Sequence, residues 1–299
     1  MVLLHEGVGG AAVGDLWRLW SWDPLVLVGL LAGLALYTSG LVRSRGRRGR
    51  LLPWWRPTLF YAGWLALAAS LVSPLDALGD DLFFIHMTQH VVITMVATPL
   101  MLLGAPFVPV MRGFPPGFRR GVVIPVVRSA WVRRPLRLVT QPLVALALYV
   151  VVLWVWHAPA LYGLALRAAP AHALEHLSFA GAAMAFWWVV IDPVPLRSRI
   201  GYLPRLPYLV AAAVQNIALG AYITFAATVL YPFYDTADRL WGLTVLEDQQ
   251  LAGLIMWVPG SMMYLLALFV VFGVMLAREE ERTRRREAEE AGLHSHARP

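Results

Sequence analysis

Residues 82–111 read L-F-F-I-H-M-T-Q-H-V-V-I-T-M-V-A-T-P-L-M-L-L-G-A-P-F-V-P-V-M and contain no Asp, Glu, Lys or Arg. A run of about 20 apolar residues is long enough to cross the hydrocarbon core of a bilayer as an α-helix. The run is continuous, whereas the strands of a membrane β-barrel alternate apolar and polar residues. The stretch therefore predicts a membrane-spanning helix, and it carries two histidines, His86 and His90.

Similar uncharged stretches recur along the whole chain. Hydrophobic residues make up 59% of the 299 residues and charged residues only 14%, which is too apolar for a soluble domain of this length. The sequence predicts an all-α, polytopic membrane protein with a seven-transmembrane-helix bundle. The predicted spans are about 24–42, 57–75, 82–104, 139–157, 172–191, 207–228 and 249–277. Residues 1–22 are expected to form an external N-terminal segment, residues 23–277 the membrane domain, and residues 278–299 a charged cytoplasmic tail.

The distribution of basic residues predicts the orientation of this bundle. All 25 basic residues are arginines, and all but Arg18, Arg167 and Arg239 lie in the tail or in the loops after the first, third and fifth predicted spans. Cytoplasmic loops of membrane proteins carry an excess of basic residues, so the N-terminus is predicted to lie outside and the C-terminus in the cytoplasm. The same distribution accounts for the net charge of +7 without nucleic acid as a partner.

Five histidines fall within or at the ends of the predicted spans. His86 and His90 form one His-x-x-x-His pair, His172 and His176 form a second, and His157 lies alone in L-W-V-W-H-A-P. Residues i and i+4 share one face of a helix, so each pair directs two imidazoles to the same side. With the predicted orientation, all five lie at the outer ends of their helices. Ionisable groups inside membranes are costly and usually functional, although hydrogen bonding between helices is the simpler alternative.

The residue types indicate a metal site. Neutral imidazoles bind copper, zinc, iron or nickel, and the chain has no cysteine, which excludes thiolate sites. We predict that the five histidines and Asp248, at the start of the seventh span, are metal ligands. Met87 follows His86 directly and points about 100° away from it, so it is not predicted as a co-ligand of that histidine. Supporting roles around the ligands are predicted for Gln89, Glu175, Gln249 and Met256.

Other functions fit parts of this pattern. The motif from His172 to His176 matches the H-x-x-E-H zinc-peptidase pattern, but no acidic third ligand follows, and an enzyme is not predicted. Two histidine pairs on facing helices could ligate haem in a membrane electron-transfer protein, although i+4 spacing leaves only about 6 Å between the ligands of one helix. A metal-ion permease would need more polar groups at mid-depth than Gln215 and Asn216.

Four motifs, in this order, resemble those of the multi-span CtaG-type cytochrome c oxidase assembly factors. They are H-M-T-Q-H-V-V-I-T-M-V-A-T-P-L from His86, W-H-A-P-A-L-Y from Trp156, H-A-L-E-H-L-S-F from His172 and D-Q-Q-L-A-G-L-I-M-W-V-P-G from Asp248. The resemblance extends from Trp22 to Met275. It implies a multi-pass protein of the bacterial plasma membrane that is needed to make active haem–copper oxidase, and it carries over the five histidines and Asp248.

The resemblance and the histidine pattern together predict copper binding at the outer face. Zinc or haem are the alternative cofactors. The partners implied are subunits of cytochrome c oxidase or their copper chaperones, together with the lipid bilayer.

Overall fold

The computed structural model describes residues 19–44, 52–193, 198, 200–237 and 241–296, with side chains up to residue 289 in the last helix. Within these ranges the chain forms helices joined by turns and contains no strand. The predicted all-α class is therefore confirmed for the part of the chain that the structure describes.

The helices follow one another with short connections. In chain order they are α1 (Pro24–Arg43), α2 (Trp55–Val72), α3 (Pro74–Gly79), α4 (Phe83–Val91), α5 (Thr98–Leu103), α6 (Phe107–Gly113), α7 (Pro116–Phe118), α8 (Ile124–Arg128), α9 (Ala130–Val139), α10 (Pro142–Trp156), α11 (Pro159–Arg167), α12 (Ala169–Ile191), α13 (Tyr202–Thr224) and α14 (Val245–His296). Two π-helical segments, Val92–Ala97 and Arg119–Val123, and a 3₁₀ turn, Pro232–Asp235, complete them.

Among the residues that the structure describes, five helices are long and apolar enough to cross a membrane: Pro24–Arg43, Phe83–Leu103, Ala169–Ile191, Tyr202–Thr224 and Val245–Glu289. A sixth span arises if α9 and α10, bent by 77° at their junction, are counted as one. Helix α2 has 18 residues with Arg56 in its first turn, and α10 alone has 15 residues. The structure thus gives five or six candidate spans, and the seven spans and the orientation of the termini stay predictions.

The third predicted span contains a π-helical segment in its middle. In Val92–Ala97 the backbone hydrogen bonds join residues five positions apart instead of four. The Thr98 hydroxyl also donates to the Ile93 carbonyl, five residues before it, at 2.8 Å. The Trp187 indole of α12 donates to the Thr94 carbonyl at 2.8 Å. Segments of this kind often occur near functional sites. Here the segment, which follows His90 within one turn, connects α4 and α5 to α12.

Helices α13 and α14 approach closely because glycines lie at their interface. A Cβ atom added at Gly220 would lie 2.9 Å from the Trp257 nitrogen, and one added at Gly253 would lie 2.6 Å from the Thr224 nitrogen. Small residues are what allow two membrane helices to pack with their backbones this close. Since α14 also packs on α4, this interface positions the start of α14 beside the first histidine pair.

We expect Gly253→Ala to lower the free energy of unfolding by about 1–3 kcal/mol, because the added methyl group overlaps backbone atoms that cannot move independently. Gly273→Ala is the matched control, since a Cβ atom there meets nothing within 4 Å and the same helix is altered. Thermal unfolding of both variants in the same detergent, monitored by size-exclusion chromatography, measures the difference in stability. Equal melting temperatures for both variants would contradict the close approach at Gly253.

Candidate metal centre

The two histidine pairs occupy matching positions on facing helices. His86 and His90 are the fourth and eighth residues of α4, and His172 and His176 are the fourth and eighth residues of α12. The ring centroids of His86 and His172 are 5.4 Å apart, and those of His90 and His176 are 5.2 Å apart. The two helices therefore present four imidazoles to one another in register, as the i+4 spacing predicted for each pair.

The atoms that converge between these helices have no hydrogen-bond partners. The Nε2 atoms of His86, His90, His172 and His176 are buried and unpaired, and so are both carboxylate oxygens of Glu175. Leaving one buried polar atom unsatisfied costs about 1–3 kcal/mol, so native proteins rarely group several of them. Nitrogen lone pairs and a carboxylate directed at one point form a donor set that a divalent transition-metal ion satisfies.

Glu175 lies within the histidine cluster and not behind it. Its Oε2 atom is 3.7 Å from His86 Nε2, and its Oε1 atom is 3.9 Å from His90 Nε2. The side chain is 1% exposed. The sequence predicted only a supporting role for Glu175, because it follows His172 by three residues and precedes the second histidine of its pair. In the structure, its carboxylate is placed as a candidate ligand between the two helices.

The candidate ligand atoms form two triads that share one histidine. Within the triad of His86, His172 and His176, and within that of His86, His90 and Glu175, the ligand atoms lie within 4.8 Å of one another. Ligands of one tetrahedral ion lie about 3.3 Å apart when each bond is about 2.0 Å long. The observed spread is wider, so one bound ion would draw the side chains inward by rotamer adjustments.

A carbonyl group fixes the orientation of His86. The Gly79 carbonyl bonds the ring of His86 and also accepts from the Tyr234 hydroxyl at 3.0 Å. Because a carbonyl oxygen only accepts, the bonded ring nitrogen carries the hydrogen and the Nε2 lone pair is left facing the cluster. Metal-binding histidines are commonly held by this kind of bond from their second nitrogen.

The structure places His157 beside this cluster rather than among its converging nitrogens. His157 caps the end of α10, and its Nδ1 lies 2.6 Å from the Leu153 carbonyl oxygen. Its Nε2 lies 3.4 Å from the Met87 sulfur. The sequence predicted only that all five histidines lie at the same depth in the membrane. That prediction did not reveal that His157 approaches the cluster from a different side.

Asp248 contacts the start of α4. Its carboxylate oxygens accept the backbone amides of Phe83 and Phe84, each at 2.9 Å. These amides belong to the first turn of the helix, where backbone donors have no partner within the helix itself. Asp248 is fully buried and serves as an N-cap supplied by another helix. It therefore fixes the position of the first histidine pair, and neither triad includes it.

The other predicted supporting residues connect segments around the site. The Gln89 amide donates to the Ser70 carbonyl at 2.7 Å and to the Asp76 carboxylate at 2.9 Å, which links α4 to α2 and α3. Gln249 accepts from the Leu230 amide at 2.6 Å, and its own amide donates to the Thr228 carbonyl, so both ends of its side chain bind the loop before α14. Both hold helix ends and loops in place.

Asp80 and Asp81 lie in the turn that connects α3 to α4. Burial, together with the nearby charges of Asp76 and Asp81, raises the pKa of Asp80 to about 7. Asp80 is therefore largely protonated below neutral pH and gains negative charge above it. This turn therefore gains negative charge as the pH rises through this range.

Tyrosines that were not predicted as site residues lie next to the cluster. The Tyr162 ring lies 5.3 Å from the His86 ring, and its hydroxyl lies 2.7 Å from that of Tyr234. A cavity of about 300 Å³ is lined by Tyr162, Tyr231 and Arg167 and lies next to these rings. Tyr162 follows His157 by five residues in the W-H-A-P-A-L-Y motif, and that motif was the only signal for it.

The model of the cytochrome c oxidase caa3 assembly factor family (Caa3_CtaG) matches residues 35–278. The chain belongs to this family. The match covers every candidate ligand named above and confirms the family that the four motifs predicted.

Relatives of this family member occur in mycobacteria. Uncharacterised proteins of Mycobacterium bovis and Mycobacterium tuberculosis are each 26% identical over 281 residues, which is 90% of this chain and 41% of each relative. An uncharacterised protein of Mycobacterium leprae is 25% identical over 277 residues, with the same coverage. The chain thus spans about two fifths of the length of these relatives. No solved structure matches the chain.

We expect Asp248→Asn to lower the free energy of unfolding by about 1–3 kcal/mol, because one of the two α4 amides would face an NH₂ group instead of an oxygen. Asp235→Asn, at an exposed position, is the control. Thermal unfolding in detergent measures the change, and copper content after loading is measured on the same samples. A stable Asp248→Asn variant that has lost its copper would assign Asp248 as a ligand instead of a cap.

Proposed function

We propose that this protein assists the assembly of a haem–copper cytochrome c oxidase by holding copper at the histidine–glutamate cluster. The cluster is defined here as His86, His90, His172, His176 and Glu175. The single observation that carries the proposal is that four buried Nε2 atoms and two buried carboxylate oxygens have no hydrogen-bond partner and belong to residues that form two ligand triads sharing His86. Membership of the oxidase assembly family indicates that the recipient of the copper is the oxidase.

The ligand set supports copper as cargo. Imidazole nitrogen and carboxylate oxygen bind Cu(II) and Zn(II), and Cu(II) binds a given nitrogen and oxygen site more tightly in the usual order of divalent metals. A closed structural site uses four ligands, whereas this cluster offers four imidazoles and a carboxylate. An additional ligand allows one bond to form before another breaks, which favours transfer of the ion over permanent retention.

A haem group fits this space poorly. Bis-histidine ligation needs a wide, flat slot between two facing imidazoles. The Phe179 ring lies 4.6 Å from the His90 ring, and the Tyr162 ring lies 5.3 Å from the His86 ring. The Glu175 carboxylate occupies the remaining space between the two helices. These contacts favour a small ion.

The proposed function also includes a topology. We infer seven spans in the bacterial plasma membrane, with α2 and α10 as the two spans additional to the five long helices. The N-terminus and the cluster would then lie at the outer side, and the C-terminal tail in the cytoplasm. Support comes from the arginine distribution and from the position of the cluster in the first turns of α4 and α12.

We expect the purified protein to retain about one or two equivalents of copper per chain after loading and desalting. His86→Ala/His176→Ala should abolish this retention, and Glu175→Gln should weaken copper binding at least tenfold, because it removes the charge but keeps the shape. Mass spectrometry of metal content, with competition by a chelator, measures both effects. Glu280→Gln, in the exposed part of α14, is the matched control for Glu175→Gln.

The same variants test the cellular role. In a strain that lacks the gene, wild-type protein should restore oxidase activity, and His86→Ala/His176→Ala should not, at equal membrane levels of protein. Copper retention unchanged in both cluster variants would overturn the metal site. Restored oxidase activity by a variant that binds no copper would separate assembly from copper handling.

The proposed topology can be tested because the chain contains no cysteine. We expect Trp22→Cys and Thr236→Cys to react with a membrane-impermeant maleimide on intact cells. Arg128→Cys and Arg282→Cys should react only after the membrane is opened. If Trp22→Cys and Arg282→Cys were labelled from the same side, the chain would cross the membrane an even number of times between them. That result would refute the seven spans.

A further inference from the structure

A second group of potential ligands lies next to the histidine–glutamate cluster. A small cavity of about 20 Å³ is lined by Met87, His90, His157 and Met256, among other residues. Met87 and Met256 are 1% and 4% exposed, and His157 is 6% exposed. Three thioethers, including that of Met95, which is 3% exposed, and two imidazoles therefore surround one small space inside the bundle.

The contact between His157 and Met87 brings two hydrogen-bond acceptors face to face. The Nδ1 atom of His157 lies 2.6 Å from the Leu153 carbonyl oxygen, which can only accept, so Nδ1 carries the ring hydrogen. In the neutral ring the Nε2 atom then has only a lone pair, and it lies 3.4 Å from the Met87 sulfur, which also has only lone pairs to offer. Such a pair attracts when a cation lies between its members.

The separation of these two atoms suits a bound metal ion. Bonds of about 2.0 Å to nitrogen and about 2.3 Å to sulfur, with the atoms 3.4 Å apart, enclose an angle of about 104° at the ion. That angle is close to tetrahedral. The bond from Nδ1 to a backbone carbonyl is the arrangement that usually orients a metal-binding histidine.

The chemistry of the ligands selects the ion. Thioether sulfur is soft and favours Cu(I) among the biological metals, whereas carboxylate and imidazole favour divalent ions. We propose that Met87, Met256 and His157 form a second metal site, the thioether site, that binds Cu(I). This site is distinct from the histidine–glutamate cluster, which offers no sulfur.

His90 lies between the two sites. Its Nε2 faces Glu175 at 3.9 Å, its Nδ1 is buried without a partner, and the residue lines the thioether cavity. A side chain shared in this way allows an ion to exchange between the two sites through one ligand. The proposal extends the copper function stated above, but the thioether site stands on its own contacts and can be tested by itself.

Silver(I) is the probe for this site, because it resembles Cu(I) in ligand preference and does not change its oxidation state. We expect Met87→Leu/Met256→Leu to bind one Ag(I) equivalent fewer than the wild type, or to bind it at least tenfold more weakly. Exchange of Met for Leu conserves volume and usually costs less than about 1.5 kcal/mol, so the fold should persist. Met262→Leu, at a position that is 63% exposed, is the matched control.

Zinc binding to the same variants separates this proposal from the copper function. Met87→Leu/Met256→Leu should keep its Zn(II), and His86→Ala/His176→Ala should lose Zn(II) while keeping the Ag(I) of the thioether site. Loss of Zn(II) by the cluster variant with unchanged Ag(I) binding by the methionine variant would overturn the thioether site and leave the cluster intact.

X-ray absorption of the silver-loaded wild type gives a readout that does not depend on any variant. At one Ag(I) equivalent we expect both sulfur and nitrogen in the first coordination shell. A shell without sulfur would overturn the proposal and would mean that His157 faces Met87 as a protonated ring that donates to the sulfur.

Discussion

The bundle buries the Nε2 atoms of four histidines together with both oxygens of Glu175, and these six atoms have no hydrogen-bond partners. An apolar bundle can carry that cost only if other interactions fix the helices firmly or if a cation satisfies the atoms. The contacts around the cluster fix the helices firmly. They hold the backbone of α4 and α12 so that the imidazoles cannot separate and find partners elsewhere, and the unpaired atoms are thereby kept available for an ion.

Three contacts on α4 illustrate this restraint. Asp248 caps the first turn of the helix by accepting two backbone amides. Gln89 ties its middle to α2 and α3. The π-helical segment after His90 leaves the Thr94 carbonyl free to accept the Trp187 indole of α12. None of these groups needs to touch a metal, yet each limits the distance between the two histidine pairs, on which metal geometry depends.

The sequence predicts the fold and the site where residues recur at a regular spacing. Uncharged runs predict the long helices, and i+4 spacing predicts that His86 pairs with His90 and His172 with His176 on common faces. It was less informative for α2 and α10, since α2 ends at Val72, where Ser73 caps the next helix, and α10 begins at Pro142 after a 77° bend. Tertiary contacts decide such details.

Pairings between distant residues were beyond the reach of the pattern. Asp248 caps α4 across 165 positions of sequence, and Met87 meets His157 across 70. Both depend on how helices rotate against one another, which periodicity within one helix does not determine. Glu175 is a different case, because its i+3 spacing from His172 places it on the same helix face, and the packing of α12 on α5 and on the π-helical segment turns that face inward.

Charge balance sets what the cluster can hold. The starts of α4 and α12 carry the partial positive charge of helix N-termini, which disfavours a cation. Asp248 offsets this charge at α4, and Glu175 supplies one carboxylate beside neutral imidazoles. A divalent ion would then retain about one uncompensated positive charge, whereas a monovalent ion would be neutralised. A second carboxylate would hold a divalent ion more tightly and slow its release. For the copper cargo proposed above, one buried carboxylate among several imidazoles would therefore permit release.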